Sequence, residues 1–217
     1  MAKRRKVGNL LALAILALLV PGRPMHPYEM ATVLRKTGKE RDFRIKWGSL
    51  YTVVQNLERH GFIEEAGSDR AGRRPERTRY AITGPGRAEL EDWLRELVSV
   101  PEPEQSRFEA ALSVLAVLSP DEATGLLEQR LHALDDDITV QREGLAAAAK
   151  DVPRIFLIEA EYAVAMRNAE ADWVRGLLAE LTTGTLPGIA QWRDYHETGG
   201  APPGWDELLA EGGEPPD

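Results

Sequence analysis

The segment from Trp47 to Ile63 limits the fold more than any other part of this 217-residue chain. A helix over residues 49–60 places four apolar side chains at the i, i+3, i+4 and i+7 positions of one face: Leu50, Val53, Val54 and Leu57. The opposite face carries side chains that hydrogen-bond or make charged contacts, none of them acidic: Tyr51, Thr52, Gln55, Asn56 and Arg59. Such a helix is either an ordinary surface helix or one that reads a nucleic-acid groove while its apolar face anchors it.

Formal charge divides the chain into two dissimilar halves. Residues 1–88 hold 18 Lys+Arg and 8 Asp+Glu, a net of +10, whereas residues 89–217 hold 9 and 27, a net of −18. A basic half joined to an acidic half indicates a polyanionic partner for the basic one. The acidic half would repel that partner, so it must serve another purpose.

An apolar segment follows a basic lead at the N-terminus. The segment spans Val7–Val20, and the lead consists of Lys3, Arg4, Arg5 and Lys6. This arrangement is similar to a signal peptide, but a membrane span needs ~20 apolar residues and Pro21-Gly22 follows without a small-residue cleavage site. We therefore expect a core helix. The basic lead is then either a solvated tail or an arm that contacts phosphates.

Two strands and two more helices are predicted around the amphipathic helix. A second helix begins at His26-Pro27, where proline suits the first turn, and ends near Gly38. After Gly61, placed as a helix cap, residues 62–66 and 77–83 have the composition of strands. A fourth helix follows to Val98, with four side chains expected to face inward: Leu90, Trp93, Leu94 and Leu97.

The loop between the two strands, residues 67–76, is long and basic for a simple turn. The order of helix, helix, helix, strand, basic loop, strand and helix is that of a winged helix-turn-helix. In that fold the third helix enters the major groove and the hairpin contacts the flanking backbone or minor groove. We therefore interpret the basic half as a DNA-binding domain.

Several motifs in this half resemble those of the PadR family of bacterial transcriptional regulators. They are His26-Pro27-Tyr28-Glu29-Met30, Gly48-Ser49-Leu50-Tyr51, Leu57-Glu58-Arg59-His60-Gly61-Phe62-Ile63, Arg73-Arg74-Pro75-Glu76-Arg77-Thr78-Arg79-Tyr80-Ala81-Ile82-Thr83 and Gly86-Arg87-Ala88-Glu89-Leu90. The resemblance covers roughly residues 10–97. Pro27 and Thr52 depart from it at helix starts, where the family usually has glycine and proline. The resemblance implies a dimeric repressor whose DNA affinity changes with an effector or a partner protein.

The expected DNA contacts divide into three groups. Candidates for base reading on the third helix are Ser49, Tyr51, Thr52, Gln55, Asn56 and Arg59. Candidates for phosphate contacts in the wing are Arg70, Arg73, Arg74 and Arg77. Secondary candidates lie at the start of the second helix and in the N-terminal arm: His26, Tyr28, Lys3, Arg4, Arg5 and Lys6.

The acidic half is predicted to be a helical dimerisation domain. Ser119-Pro120 opens one long helix, and Pro153 precedes a second. The second helix carries an apolar stripe about eight turns long: Ile155, Ile158, Tyr162, Ala165, Ala169, Trp173, Leu177 and Leu181. Two helices cannot bury such stripes against each other alone, so pairing with a second subunit is the simplest solution. A two-fold dimer would present its recognition helices to major grooves ~34 Å apart, which predicts a palindromic operator.

An effector pocket is a further expectation for this half. Phe156, Tyr162 and Trp173 are its candidate lining, although aromatic residues at helical spacing are also typical of a core. A small molecule that altered the helix packing would change the separation of the recognition helices and release the operator.

The residues present do not predict an enzyme. The chain has no cysteine, which excludes disulfides and thiolate chemistry and fits a reducing cytoplasm, and its four histidines lack metal-ligand spacing. We interpret Asp135-Asp136-Asp137 as a solvated face, and we expect no cofactor, metal or membrane association.

The expected protein is therefore a cytoplasmic, mainly α-helical regulator. Its predicted parts are a winged helix-turn-helix domain at residues 1–99, a helical dimerisation domain at 104–197 and a disordered acidic Gly/Pro tail at 198–217. The alternative function is a helical interaction module whose winged domain contacts protein instead of DNA.

Overall fold

The computed structural model describes residues 5–39, 47–69, 77–101 and 106–199. The chain divides into two compact units, residues 1–104 and 105–217. Nearly all of the predicted tail, residues 200–217, lies outside the described part. Five of the candidate DNA contacts also lie outside the described part: Lys3, Arg4, Arg70, Arg73 and Arg74. The side chain of Arg77 is not described either.

The first unit has the element order predicted for a winged helix-turn-helix. Its elements are α1 (Leu10–Leu19), α2 (Pro27–Lys36), α3 (Trp47–Arg59), β1 (Ile63–Asp69), β2 (Arg77–Ile82) and α4 (Gly84–Ser99). The strands are antiparallel, with Ile63 opposite Ile82 and an irregularity between Glu65 and Ser68. The mainly helical fold class is confirmed.

Helix α1 is the centre of the first core, as expected from its apolar sequence. Asn9 begins the helix by accepting a hydrogen bond from Leu11 N at 2.9 Å. Six of its ten residues are buried: Leu11, Ala12, Ala14, Ile15, Leu16 and Leu19. Around it pack buried side chains from every other element of the unit except β2, which adds the partly buried Tyr80 and Ile82. An α-helix apolar nearly all round is stable in water only when it is surrounded in this way.

Helix α4 differs from the prediction in its second half. Leu90 and Trp93 are buried, each 5% exposed, but Leu94 and Leu97 are 42% and 41% exposed. All four lie on one helical face, as their spacing predicted. The core beneath that face ends at Trp93, and the last turns of α4 extend beyond it.

The second unit is built on two long helices. Its elements are α5 (Arg107–Leu112), a 3₁₀ turn (Leu115–Val117), α6 (Pro120–Ala148), a 3₁₀ turn (Arg154–Phe156), α7 (Ile158–Thr183) and α8 (Ile189–Thr198). Ser119 caps α6 by accepting from Glu122 N at 3.2 Å, and Pro120 occupies the first position. The core of this unit comprises Leu127, Val174, Leu178, Leu181 and Ile189.

Helices α6 and α7 run antiparallel and are joined by ion pairs. Arg130 binds Glu170, Asp137 binds Arg167, and Asp135 binds Arg175. The acidic run at residues 135–137 is therefore only partly solvated, because Asp135 and Asp137 face arginines of α7. None of the helices in the described part of the chain has both the length and the apolar character that a membrane span requires.

Candidate functional site

Helix α3 divides into a buried face and a polar face. Leu50, Val53, Val54 and Leu57 are all at most 4% exposed and dock α3 on the first core. The side chains of Tyr51, Thr52, Gln55 and Arg59 are exposed on the other side, and those of Ser49 and Asn56 are half-buried. This is the division of faces that the sequence predicted.

The end of the polar face is ordered by local hydrogen bonds. Arg59 Nη1 donates to Asn56 Oδ1 at 3.2 Å, so these two base-reading candidates are oriented together. His60 Nδ1 lies 2.9 Å from Asn56 O, one turn before it. Gly61 then ends the helix with a φ of +71°, a left-handed conformation that glycine adopts without strain.

Thr83 joins the end of α3 to the wing. Its backbone N donates to Phe62 O at 3.1 Å, and its hydroxyl donates to Gly61 O at 2.6 Å. The same hydroxyl accepts from Gly86 N at 3.1 Å and so caps α4. A Cβ on Gly86 would lie 2.0 Å from Phe62 O. The last turn of α3, the wing and α4 therefore share one tightly packed junction.

The start of α2 is a capping box, which gives His26 a structural task. Its Nδ1 accepts from Tyr28 N at 3.1 Å, while Glu29 Oε2 accepts from His26 N at 2.9 Å. Pro27 occupies the first helical position, where its missing N–H costs nothing. The Tyr28 side chain, 54% exposed, remains a surface candidate.

The start of α2 is also attached to the wing. Met25 and Tyr80 exchange two backbone hydrogen bonds of 3.0 Å. Burial raises the pKa of the Tyr80 phenol, and the nearby carboxylates Glu58 and Glu65 raise it further, Glu58 also by a hydrogen bond. Because Glu58 lies on α3, this tyrosine connects the wing strand with both helices of the helix-turn-helix.

Arg5 has a different place from the one the sequence predicted. Its side chain is only 4% exposed and lies on α4, where Nη1 is 2.8 Å from Glu89 Oε1 and 3.2 Å from Asp92 Oδ2. It also binds Glu96, and its guanidinium carbon lies 5.3 Å from the centre of the Trp93 ring. Buried among carboxylates, this side chain has no access to DNA phosphates. The assignment of Arg5 to a DNA-contacting arm is therefore corrected.

Lys6, the next residue, lies on the side of α3. It is exposed and lines a shallow open cavity of about 410 Å³ together with Asn9, Ser49, Thr52 and Asn56. A cation of the N-terminal lead thus lies beside three of the base-reading candidates. Sequence reasoning placed Lys6 in the same group as Arg5 and had no signal to separate them.

Helix α7 of the second unit has two apolar faces, not one. Ala171, Val174 and Leu178 are buried against the core of the unit, whereas Ile158, Tyr162 and Trp173 are 50%, 68% and 50% exposed. Ala165 and Ala169 are exposed beside these three. Most of the predicted dimerisation stripe therefore lies on the outer face of α7.

The two ends of the predicted stripe deviate from that outer face. Ile155 and Phe156 lie in the 3₁₀ turn ahead of α7, each 66% exposed. Leu181 is buried in the core of its own unit, and Leu177 packs against that core. The reason is geometric: each four-residue step turns about 40° around the helix, so three steps from Ala169 turn about 120° and reach the inner face.

The three effector candidates, Phe156, Tyr162 and Trp173, are each at least 50% exposed. A largely apolar cavity of about 420 Å³ lies between α5, the first 3₁₀ turn and α6, with Phe108 and Arg130 at its edge. Trp173 touches this edge from outside, because the rings of Phe108 and Trp173 form an edge-to-face pair at 6.1 Å. The Arg130 guanidinium lies over the Phe108 ring, 3.6 Å from the ring centre.

The described residues offer surfaces suited to binding. They contain no group of three or more His, Asp or Glu side chains that could hold a metal ion. The arrangement instead offers a polar helix face, a hairpin and an exposed cation on one unit, and an unpaired apolar helix face on the other.

Comparison with known proteins agrees with a winged helix-turn-helix in the first unit. Residues 15–92 match the family described as the transcriptional regulator PadR-like family. Comparison with curated protein sequences found no match.

Among solved structures, PadR of Bacillus subtilis in complex with operator DNA is similar, with 21% identity and a TM-score of 0.65 over 79% of this chain and 99% of that one. The same protein in complex with p-coumaric acid gives 20% identity and a TM-score of 0.62, over 80% and 99% of the two chains. The Vibrio cholerae virulence activator AphA gives 18% identity and a TM-score of 0.57, over 80% and 98%.

These structural likenesses concern the fold, and the family match is confined to the winged helix-turn-helix. Members of that family are transcriptional regulators, not enzymes. Residues 15–92 thus match the transcriptional regulator PadR-like family, and the first unit has the winged helix-turn-helix fold of the solved PadR structures.

Proposed function

We propose that the protein is a cytoplasmic homodimeric repressor that binds a palindromic operator and is released from it by a small-molecule effector. The observation that carries this proposal is the division of α3, whose four apolar side chains are at most 4% exposed while its polar side chains face outward. A helix held so firmly can present donors and acceptors to base edges at fixed positions.

The DNA contacts divide between base reading and phosphate binding. On α3, base edges are read by members of the set Ser49, Tyr51, Thr52, Gln55, Asn56 and Arg59. In the wing, Arg70, Arg73, Arg74 and Arg77 bind phosphates, and Lys6 binds one beside α3. Tyr28 contributes at the start of α2, where His26 caps the helix.

Dimerisation uses the outer face of α7. Ile158, Tyr162 and Trp173 form an exposed apolar stripe along several helical turns, with the small residues Ala165 and Ala169 between them. An exposed apolar stripe of this length is unfavourable in water and is typical of an association surface. A second copy of the chain, related by a two-fold axis, would cover it with the same residues.

The effector site lies in the second unit, near the dimerisation face. Bacillus subtilis PadR is known in complex with p-coumaric acid, a small aromatic acid. The apolar cavity beside Phe108 has a volume typical of small-molecule sites. Because the Phe108 ring packs edge-to-face on Trp173, a ligand that shifted Phe108 would disturb the proposed dimerisation face and so the spacing of the recognition helices.

Titration with DNA tests the proposal. Fluorescent duplexes from the promoters of the protein's own gene and its neighbours would be titrated at 50 and 200 mM salt and compared with a scrambled duplex. We expect tight, sequence-dependent binding that weakens with salt, since each phosphate contact contributes about 0.9 to the slope of log K against log salt.

Two results would contradict the proposal. Equal affinity for the promoter and scrambled duplexes would reject sequence-specific recognition, and no binding to any duplex would favour the alternative in which the winged unit contacts protein. A transcription assay on a bound promoter then separates repression from activation, the activity named for the structurally similar AphA.

A further inference from the structure

Three contacts fix the segment just before α1. Arg5 is anchored on α4 by carboxylates, Val7 is buried in the first core at 8% exposed, and Asn9 caps α1. Lys6 lies between these points and is exposed. It shares its shallow cavity with Ser49, Thr52 and Asn56 of the polar face of α3.

The Arg5 anchor is more elaborate than a surface ion pair. Glu89, Asp92 and Glu96 recur at i, i+3 and i+7 on one face of α4, and all three bind the same guanidinium. Arginine suits this position because its planar group offers five donors in a fixed plane and stacks on an aromatic ring, here that of Trp93.

Arg5 remains charged despite its burial. Burial by itself lowers its pKa, but the hydrogen bonds to Glu89, Glu96 and Asp92 outweigh that effect and raise the pKa above its usual value. The anchor is therefore permanent at every pH at which the protein is folded and the carboxylates are ionised.

We propose that Arg5 is a positioning residue for DNA binding, whose anchorage on α4 holds Lys6 beside the first half of α3 so that the Lys6 ammonium binds a backbone phosphate next to the bases that α3 reads. This inference rests on the proposed function, since it requires α3 to enter the groove. A lysine on a free arm loses conformational entropy when it binds a phosphate, whereas an anchored lysine has lost part of it on folding.

The anchor also predicts a change in DNA affinity that is opposite in sign to the change expected from net charge alone. Replacing Glu89 and Glu96 by glutamine removes two negative charges from the DNA-binding unit, so general electrostatics predicts tighter binding to DNA. If the two carboxylates instead hold the arm through Arg5, their removal releases Lys6 and weakens binding.

The test uses the full chain and a 40-base-pair duplex of mixed sequence, so that no operator needs to be known. Anisotropy titrations between 50 and 200 mM salt would compare wild type, Lys6→Ala, Arg5→Ala and Glu89→Gln/Glu96→Gln, with Lys6→Ala also added to each of the last two. Lys150→Ala, the loss of an exposed cation at the end of α6, is the matched charge control. Circular dichroism and thermal unfolding establish that each variant is folded, and the glutamine pair keeps the test open if Arg5→Ala does not fold.

We expect Lys6→Ala to weaken binding roughly fivefold at 50 mM salt and to lower the salt slope by about 1, with no change for Lys150→Ala. In the Arg5→Ala and glutamine-pair backgrounds, Lys6→Ala should change nothing further, and the glutamine pair itself should bind more weakly than wild type. Tighter binding by the glutamine pair, or an equal effect of Lys6→Ala in every background, would overturn the inference. A wild-type protein that binds neither this duplex nor any promoter duplex would overturn the proposed function itself, and this inference with it.

Discussion

The two units bury their apolar side chains to very different extents. In the described residues, the winged unit gathers 18 buried apolar residues into one cluster, whereas the core cluster of the helical unit contains five. The helical unit instead exposes large apolar side chains on both long helices, among them Leu126, Val140, Tyr162 and Trp173.

This difference shows which unit is complete as a single chain. The winged unit surrounds its apolar helix α1 and needs nothing more to satisfy it. The helical unit joins α6 and α7 through a small core and several ion pairs, and it leaves the outer face of α7 exposed. We therefore expect mutations to affect intramolecular stability in the first unit and association in the second.

The largest effect is expected at the junction in the winged unit. Gly86→Ala places a Cβ 2.0 Å from Phe62 O, and since this atom belongs to the backbone, the wing must move away from α4. We expect the free energy of unfolding to fall by about 4 kcal/mol, as for severe overpacking. Urea unfolding followed by circular dichroism measures it.

A glycine of the helical unit is the matched control. Gly144 lies inside α6, is exposed, and has nothing within 4 Å of its Cβ position. Gly144→Ala should therefore stabilise the protein by about 1 kcal/mol through helix propensity. A similar loss from both substitutions would contradict the contrast between a packed junction and an open helix.

The next largest effect concerns the outer face of α7. Replacing both Tyr162 and Trp173 by alanine should weaken dimerisation about 100-fold or more, because buried aromatic residues dominate such interfaces. Since both side chains are at least half exposed within one chain, the helix content should not change. Sedimentation equilibrium measures the dissociation constant.

Val98→Ala controls for the loss of exposed apolar surface elsewhere, since Val98 is 86% exposed on α4. It should leave the dimer intact. A wild-type mass near 24.1 kDa at micromolar concentration would contradict dimerisation altogether.

The sequence predicted features that depend on the spacing of neighbouring residues. It missed features that depend on contacts between residues far apart along the chain. The two faces of α3 follow from residues three and four apart, so that Leu50 and Tyr51 were assigned correctly. Arg5 could not be assigned, because its carboxylates lie 84 to 91 residues further along the chain. Leu181 was misplaced because the stripe rotates slowly around α7, and periodicity alone does not show which turn meets the core.

A smaller effect is expected at Thr83, which caps α4 and binds the end of α3. Thr83→Ala removes the hydroxyl that donates to Gly61 O and accepts from Gly86 N. Loss of an N-cap costs about 1 kcal/mol, and the second bond brings the expected total to about 1–2 kcal/mol. Thr83→Ser should restore most of it, since the hydroxyl is retained. If the serine variant is as unstable as the alanine variant, the packing of the methyl group and not the hydrogen bonds holds the junction.

The smallest effect is a pH dependence of stability that arises from Tyr80 in the winged unit. The Tyr80 pKa is raised above its ordinary value of 10.0, chiefly by burial and then by Glu58 and Glu65. The unfolded chain therefore ionises this phenol first, so the contribution of Tyr80 to stability is complete below about pH 10 and is lost as the pH rises through the raised value. Tyr80→Phe should lower the free energy of unfolding by up to about 1 kcal/mol at pH 7, where a hydrogen bond with Glu58 is lost. Between pH 9 and 11, however, the stability of the variant should decline less than that of the wild type. Urea unfolding at several pH values measures both, and parallel curves for the two proteins would show that Tyr80 ionises equally readily in the folded and unfolded chains.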